Sequence, residues 1–156
     1  VIRLAAYGIC RREDHLLLAR YVSPDRSERH WTLPGGKVEH GEDPYHAVVR
    51  EFAEETGYQV RVDRLLGVDS RTRVLPSGSL AGSEQHSVGV FYLVRIVGGD
   101  LRHELDGSTD LAEWVHEVTV SELERSVIID VGLALAAGRP PGGHVEPVPV
   151  SGLLRH

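Results

Sequence analysis

Apolar and polar positions divide the chain into short blocks that predict strands on both sides of one acidic helix. Leu4 to Cys10 reads as a first strand, Arg11 to Asp14 as a polar turn, and Leu16 to Val22 as the returning strand. Ser23 to Arg29 is a polar loop. His30 to Leu33 is short and extended, and Pro34, Gly35 and Gly36 cut it off. Gln59 to Asp69 alternates well enough for one or two strands, whereas Arg71 to Gln85 carries Pro76, serines and glycines and reads mostly as exposed loop. Ser87 to Val97 is the most apolar block and predicts a central strand; Ala112 to His116 predicts a short edge strand. Ser121 and Glu124 have capping-box spacing and predict a second helix running to about Ala137. The pattern is that of an α/β domain over residues 1–140, followed by a Pro- and Gly-rich tail over 141–156 that is extended or loosely docked.

The helix between these strand blocks is the best-defined element. Asp43 supplies a carboxylate cap and Pro44 fits the first helical position, while Gly57 suits the left-handed position after Thr56. At about 100° per residue, Glu51, Glu54 and Glu55 fall within roughly one third of the circumference, and Tyr45, Val49 and Phe52 cluster opposite them. One face is therefore read as core and the other as three crowded carboxylates, which repel unless a cation joins them.

Composition narrows the class. The 156 residues make one domain's worth of chain, with 41% hydrophobic and 26% charged residues and a formal net charge of -6. That charge argues against a nucleic-acid binder but not against a nucleotide ligand, because a bound metal reverses the local field. Cys10 is the sole cysteine, which suits a reducing cytoplasm, and neither a membrane span nor a signal-peptide pattern is evident.

The spacing around the acidic helix resembles a known signature. Gly36, five residues, Glu42, seven residues, then Arg50-Glu51-Phe52-Ala53-Glu54-Glu55-Thr56-Gly57-Tyr58 is similar to the Nudix box, with its seven fixed positions present; Phe52 and Tyr58 stand where aliphatic residues are commoner. The resemblance implies the Nudix fold, a mixed β-sheet sandwiched between helices, and hydrolysis of a nucleoside diphosphate linked to another moiety. It implies that Glu51, Glu54, Glu55 and the carbonyl of Gly35 hold Mg²⁺, with Mn²⁺ as the alternative. Arg50 would orient the glutamates, Gly36 and Gly57 would shape the loops, and Glu42 would either reach the metal through water or brace the loop.

The box leaves the general base open among Glu51, Glu104 and Asp110, with Asp110 favoured over Glu104 because it precedes the Trp114 strand. Arg20, Arg29 and Arg71, with Arg26 and Arg73 behind them, are candidate phosphate contacts. Trp31 and Phe91 are either base-stacking or core residues, with core favoured. The short Leu33–Gly36 entry favours a (deoxy)nucleoside triphosphate; ADP-ribose or a nucleotide sugar is the alternative. A non-catalytic nucleotide-sensing module is the reading from another class. The expected partner is a small nucleotide, without nucleic acid or membrane, and self-association into a homodimer is compatible with the sequence.

Overall fold

The computed structural model describes residues 1–156. Its elements are β1 (Ile2–Ile9), β2 (Arg11–Arg12), β3 (His15–Val22), β4 (Arg29–Thr32), β5 (Gly35–Lys37), α1 (Pro44–Thr56), β6 (Tyr58–Val74), β7 (Glu84–Gly99), β8 (Thr109–His116), a 3₁₀ turn (Glu117–Glu122), β9 (Arg125–Ser126), α2 (Val127–Gly138) and β10 (Leu154–Arg155). One sheet runs β5-β1-β7-β6, mixed because β1 and β7 are parallel. A second runs β10-β9-β4-β3-β2, with β8 joined to β3.

Two apolar clusters fill the layers. Phe52, Val48 and Ala47 of α1 pack with Ala6, Cys10, Tyr92 and Val94 on one side of the first sheet. Ile129 and Leu135 of α2 pack with Ile9, Phe91, Leu16 and Leu18 on the other. The result is the α/β arrangement of a sheet between helices. Burial pushes the Cys10 thiol up to about 11, so it behaves as a small core residue.

The ends of α1 stand where the sequence predicts. Asp43 accepts a hydrogen bond from the Tyr45 N–H at 2.9 Å, and Gly57 takes φ 80° with its N–H on the Ala53 carbonyl. The core face differs from the wheel. Val48 and Ala47 are buried, while Tyr45 is 46% exposed, lying in the first turn against the edge of Tyr92 rather than beneath the helix.

Two other expectations are corrected, and of the two readings of the tail the docked one holds. Arg71 to Gln85 is mostly hairpin: Arg71 pairs with Ser87 and Val74 with Glu84, and Pro76, Gly78 and Gly82 are confined to the tip. The second helix starts at Ser126, whose hydroxyl accepts from the Ile128 N–H. Ser121 and Glu122 instead end the 3₁₀ turn, and Glu124 cannot continue into the helix, because its carbonyl accepts from Trp31 and Arg125 pairs with β4. The tail is also docked. Gly143 lies against Gly67 and accepts from the Val68 N–H at 2.9 Å, Val145 and Val148 pack on the second apolar cluster, and β10 runs parallel to β9. No helix is long and apolar enough to cross a membrane.

Candidate active site

The site is built where β5 meets α1. Ala6 pairs with Gly36 and Tyr7 with Gly35, so β1 carries the glycine strand alongside the acidic helix. A Cβ added at Gly36 would sit 2.9 Å from Glu51 Oε1. At Gly35, with φ 145°, an added Cβ would run into Tyr7. Two glycines are what let this backbone lie against carboxylates.

Arg50 organises the acidic side chains. Its Nε donates to Glu42 at 2.8 Å and its Nη2 to the same carboxylate at 2.9 Å. Nη1 donates to Glu51 at 3.1 Å and to Glu54 at 3.4 Å, and Nη2 also reaches the Lys37 carbonyl at 3.1 Å. One planar guanidinium thus ties the loop to the helix. Its bonds hold the Glu42 carboxyl down at about 2, and the Arg50 guanidinium itself is raised by the same bonds.

Glu55 behaves differently from what the wheel implied. It is 2% exposed, turned inward against β5, and accepts from the Gly35 N–H at 3.3 Å. Burial raises its carboxyl well above the usual range, and the neighbouring Glu51 charge and hydrogen bond raise it further. Glu51 is nearly buried, with 13% of its side chain exposed, whereas Glu54 remains half exposed at 51%.

The loop after β7 comes over the same place. Arg102 is its anchor: its N–H donates to the Thr56 carbonyl and its Nη2 to the Ala53 carbonyl, both at 2.9 Å, closing the C-terminal end of α1. Two residues on, Glu104 is half-buried, and its carboxyl is raised chiefly by burial. The N–H of Thr109 opposes that rise, while the charges of Glu51 and Glu54 add to it, which puts Glu104 in the field of the box carboxylates. Asp110 is held by two arginines. Arg20 grips it through Nε at 2.9 Å and Nη2 at 3.0 Å, and Arg29 donates from Nε at 3.0 Å. Those bonds lower the Asp110 carboxyl, whereas Glu104 feels the charges of Glu51 and Glu54. Arg71 lies apart from this cluster, on β6, paired with Asp69 at 3.0 Å.

A family model described as NUDIX domain matches residues 1–130. The chain belongs to the Nudix family. The fold agrees: a NUDIX hydrolase from Nitrosomonas europaea superposes with a TM-score of 0.73 at 20% identity, covering 89% of this chain and 91% of that one. The NUDIX domain of Shewanella oneidensis NrtR, solved with ADP ribose, gives 0.63 at 17% identity, covering 89% and 88%. In sequence, an ADP-ribose pyrophosphatase of Methanocaldococcus jannaschii is 34% identical over 99 residues, which is 64% of this chain and 54% of that protein. The chain spans between a fifth and three fifths of the first curated relatives it matches.

In Nudix terms, Arg50 joins Glu42, Glu51 and Glu54, Gly36 lies against Glu51, and Glu55 accepts from Gly35, while Gly57 ends α1 apart from them and Glu104 feels the charges of Glu51 and Glu54. Nudix hydrolases generally use a divalent metal, and the donors here suit one: hard carboxylate oxygens, an inward carboxylate short of positive partners, and glycine backbone beside them. Glu51 and Glu54 are turned toward Arg50, and no three acidic or histidine groups already converge on one point. Arg102 was missed by sequence reasoning; its only signal is a basic residue shortly after Gly99, with nothing to mark it as a helix cap.

Proposed function

We propose that this protein is a divalent-metal-dependent hydrolase that cleaves the diphosphate of a nucleoside diphosphate derivative, with ADP-ribose-type compounds as the favoured class. The observation that carries the reading is the Arg50-held carboxylate set packed on Gly35 and Gly36 with Glu104 beside it. Glu51, Glu54, Glu55 and the Gly35 carbonyl would hold Mg²⁺ or Mn²⁺. When bound, such an ion neutralises diphosphate charge and makes water easier to deprotonate. Glu104, kept protonatable by burial, takes the proton of the attacking water as the phosphorus–oxygen bond to the leaving phosphate breaks. Arg20 and Arg29 each keep N–H groups not used on Asp110, and these would bind phosphate. On ADP-ribose the products would be AMP and ribose 5-phosphate.

The archaeal relative named for ADP-ribose and the Shewanella domain solved with it support this class over the nucleoside triphosphates suggested by the Leu33–Gly36 entry. A substrate panel tests both. ADP-ribose, NADH, nucleotide sugars, dinucleoside polyphosphates, dNTPs and oxidised dNTPs would be incubated with Mg²⁺, Mn²⁺ or EDTA, and products separated by chromatography. Metal-dependent release of AMP from ADP-ribose, faster than turnover of any triphosphate, is the expected result. Faster dNTP cleavage would overturn the substrate class, and no cleavage of any compound with either metal would favour a nucleotide-sensing module.

A further inference from the structure

The loop that carries Glu104 is built against the trend of its own residues. Positions 101–106 are exposed except Glu104, which is half-buried, while the adjacent Leu105 is 86% exposed. A carboxylate turned in beside a leucine turned out inverts what burial alone favours. Contacts elsewhere in the loop therefore hold Glu104 inward. Its carboxyl lies across Gly107, where an added Cβ would run into it, and faces the N–H groups of Thr109 and Ser108. His103 ties the loop to the second sheet, its Nδ1 accepting from the Ala112 N–H of β8 at 3.2 Å.

The opposite tie is Arg102. Its N–H and its Nη2 reach the carbonyls of Thr56 and Ala53, which bracket Glu54 and Glu55 along α1. The guanidinium is bonded to a helix carbonyl rather than to a carboxylate, so its charge sits at the negative end of α1. Two glycines form the seat. Gly57 and Gly99 take φ 80° and 79°, and Tyr58 pairs with Gly99. A Cβ at Gly57 would run into the Asp100 carbonyl and come within 2.6 Å of Arg102 Cγ; one at Gly99 would run into the Gly57 carbonyl. The box glycine therefore ends α1 and also leaves the room that Arg102 occupies.

We propose that Arg102 is a positioning residue for hydrolysis, acting through Glu104 by seating its loop on the end of the helix that carries Glu51, Glu54 and Glu55. That role rests on the reading of Glu104 as the base; the seating of the loop does not. Arg102→Ala isolates the effect, because the bond to Thr56 comes from the backbone and survives the change. The Ala53 carbonyl also keeps the Gly57 N–H at 3.2 Å, so α1 retains its cap and the fold is kept. The residues before Glu104 then lose their side-chain tie to the helix and keep only the one from His103 to β8.

Hydrogen exchange of the full chain, without metal or nucleotide, tests the seating. Arg102→Ala should speed exchange of the Ala112 amide about tenfold while amides inside α1 keep their rates. Unchanged exchange at Ala112 overturns the clamp, whatever the enzyme hydrolyses. A double-mutant cycle with Glu104→Gln tests the role, using Mg²⁺ and ADP-ribose or the panel compound turned over fastest. Arg102→Ala alone should lower kcat by at least about tenfold and leave KM within about twofold. In the Glu104→Gln background the same change should cost less than about twofold, because a misplaced base does not matter once the base is gone. Arg102→Lys, which keeps a donor for the Ala53 carbonyl, should recover most of the turnover. An equal loss in both backgrounds, or wild-type kcat in Arg102→Ala, would overturn the positioning role and leave Glu104 as the base. Near-normal turnover of Glu104→Gln by itself would overturn the base, and the role of Arg102 with it.

Discussion

Replacing Arg50 with lysine keeps the charge and removes the planar fork, which makes it the sharpest probe of the site. The guanidinium holds Glu42 through two bonds, at 2.8 and 2.9 Å, and reaches Glu51, Glu54 and the Lys37 carbonyl at 3.1 to 3.4 Å. An ammonium has three donors from one point and cannot grip Glu42 side-on while also reaching Glu51. At least two charge-assisted bonds are lost, each worth about 1.5–3 kcal/mol in protected surroundings. A quarter of the Arg50 side chain is exposed, so solvent screening reduces the total to roughly 2 kcal/mol. For a chain of this size that lowers Tm by about 4–8 °C. The effect on chemistry should be larger, because a carboxylate displaced by about 1 Å costs on the order of a hundredfold in rate. Thermal melts, together with kcat/KM measured across a Mg²⁺ titration, check both numbers. The metal concentration for half-maximal activity should rise. A lysine variant with wild-type metal dependence and turnover would refute the idea that the fork positions the glutamates.

Glu54→Gln and Glu55→Gln should each lower kcat by at least about a hundredfold with the fold retained, as seen by unchanged circular dichroism; near-normal turnover of both at saturating metal would remove them from the metal set. Glu104→Gln should abolish the acidic limb of the kcat/KM–pH profile, a limb that lies above the ordinary carboxylate range because burial raises Glu104, while Asp110→Asn should leave the limb and raise KM by loosening Arg20 and Arg29. The reverse pattern would return the base to Asp110. Acid stability should report the Arg50–Glu42 bond: with the Glu42 carboxyl lowered to about 2, its stabilisation is complete above the unfolded value of about 4.3 and is lost as pH falls through about 2. Acid unfolding of Arg50→Lys should therefore start at higher pH than wild type, and coincident acid transitions would count against the bond.

What could be read from sequence was what neighbouring residues decide. Asp43, Pro44 and Gly57 bound α1 through hydrogen bonds within a few residues, so the helix ends needed no knowledge of the fold. The box spacing likewise brought Glu42, Arg50, Glu51 and Glu54 together along one loop and helix. The inward turn of Glu55 was not legible, because a wheel compares a helix with itself and β5, the strand that covers Glu55, is hung on β1. That Arg102 caps α1 and that Arg20 reaches Asp110 from β3 was not legible either, because both contacts are distant in sequence. At Ser121, a good local cap lost to pairing of Arg125 with Trp31. The hairpin arms at Arg71 to Val74 were hidden because breakers belonging to the tip were averaged with the strand beside them.

Parallel pairing of β1 with β7, Ile2 opposite His86 and Ile9 opposite Leu93, also dictates an order of assembly. The β6–β7 hairpin joins neighbours in sequence and closes early, whereas β1 must wait for a partner far along the chain. β5 reaches the sheet only through β1, so until β1 docks on β7 the Gly36 backbone and Glu51 are not held on the sheet together. Pulse-labelled hydrogen exchange during refolding should protect the hairpin amides before those of β1, and simultaneous protection would contradict this order. A nascent chain therefore carries every box residue long before it has a metal site, and catalytic competence is among the last properties it acquires.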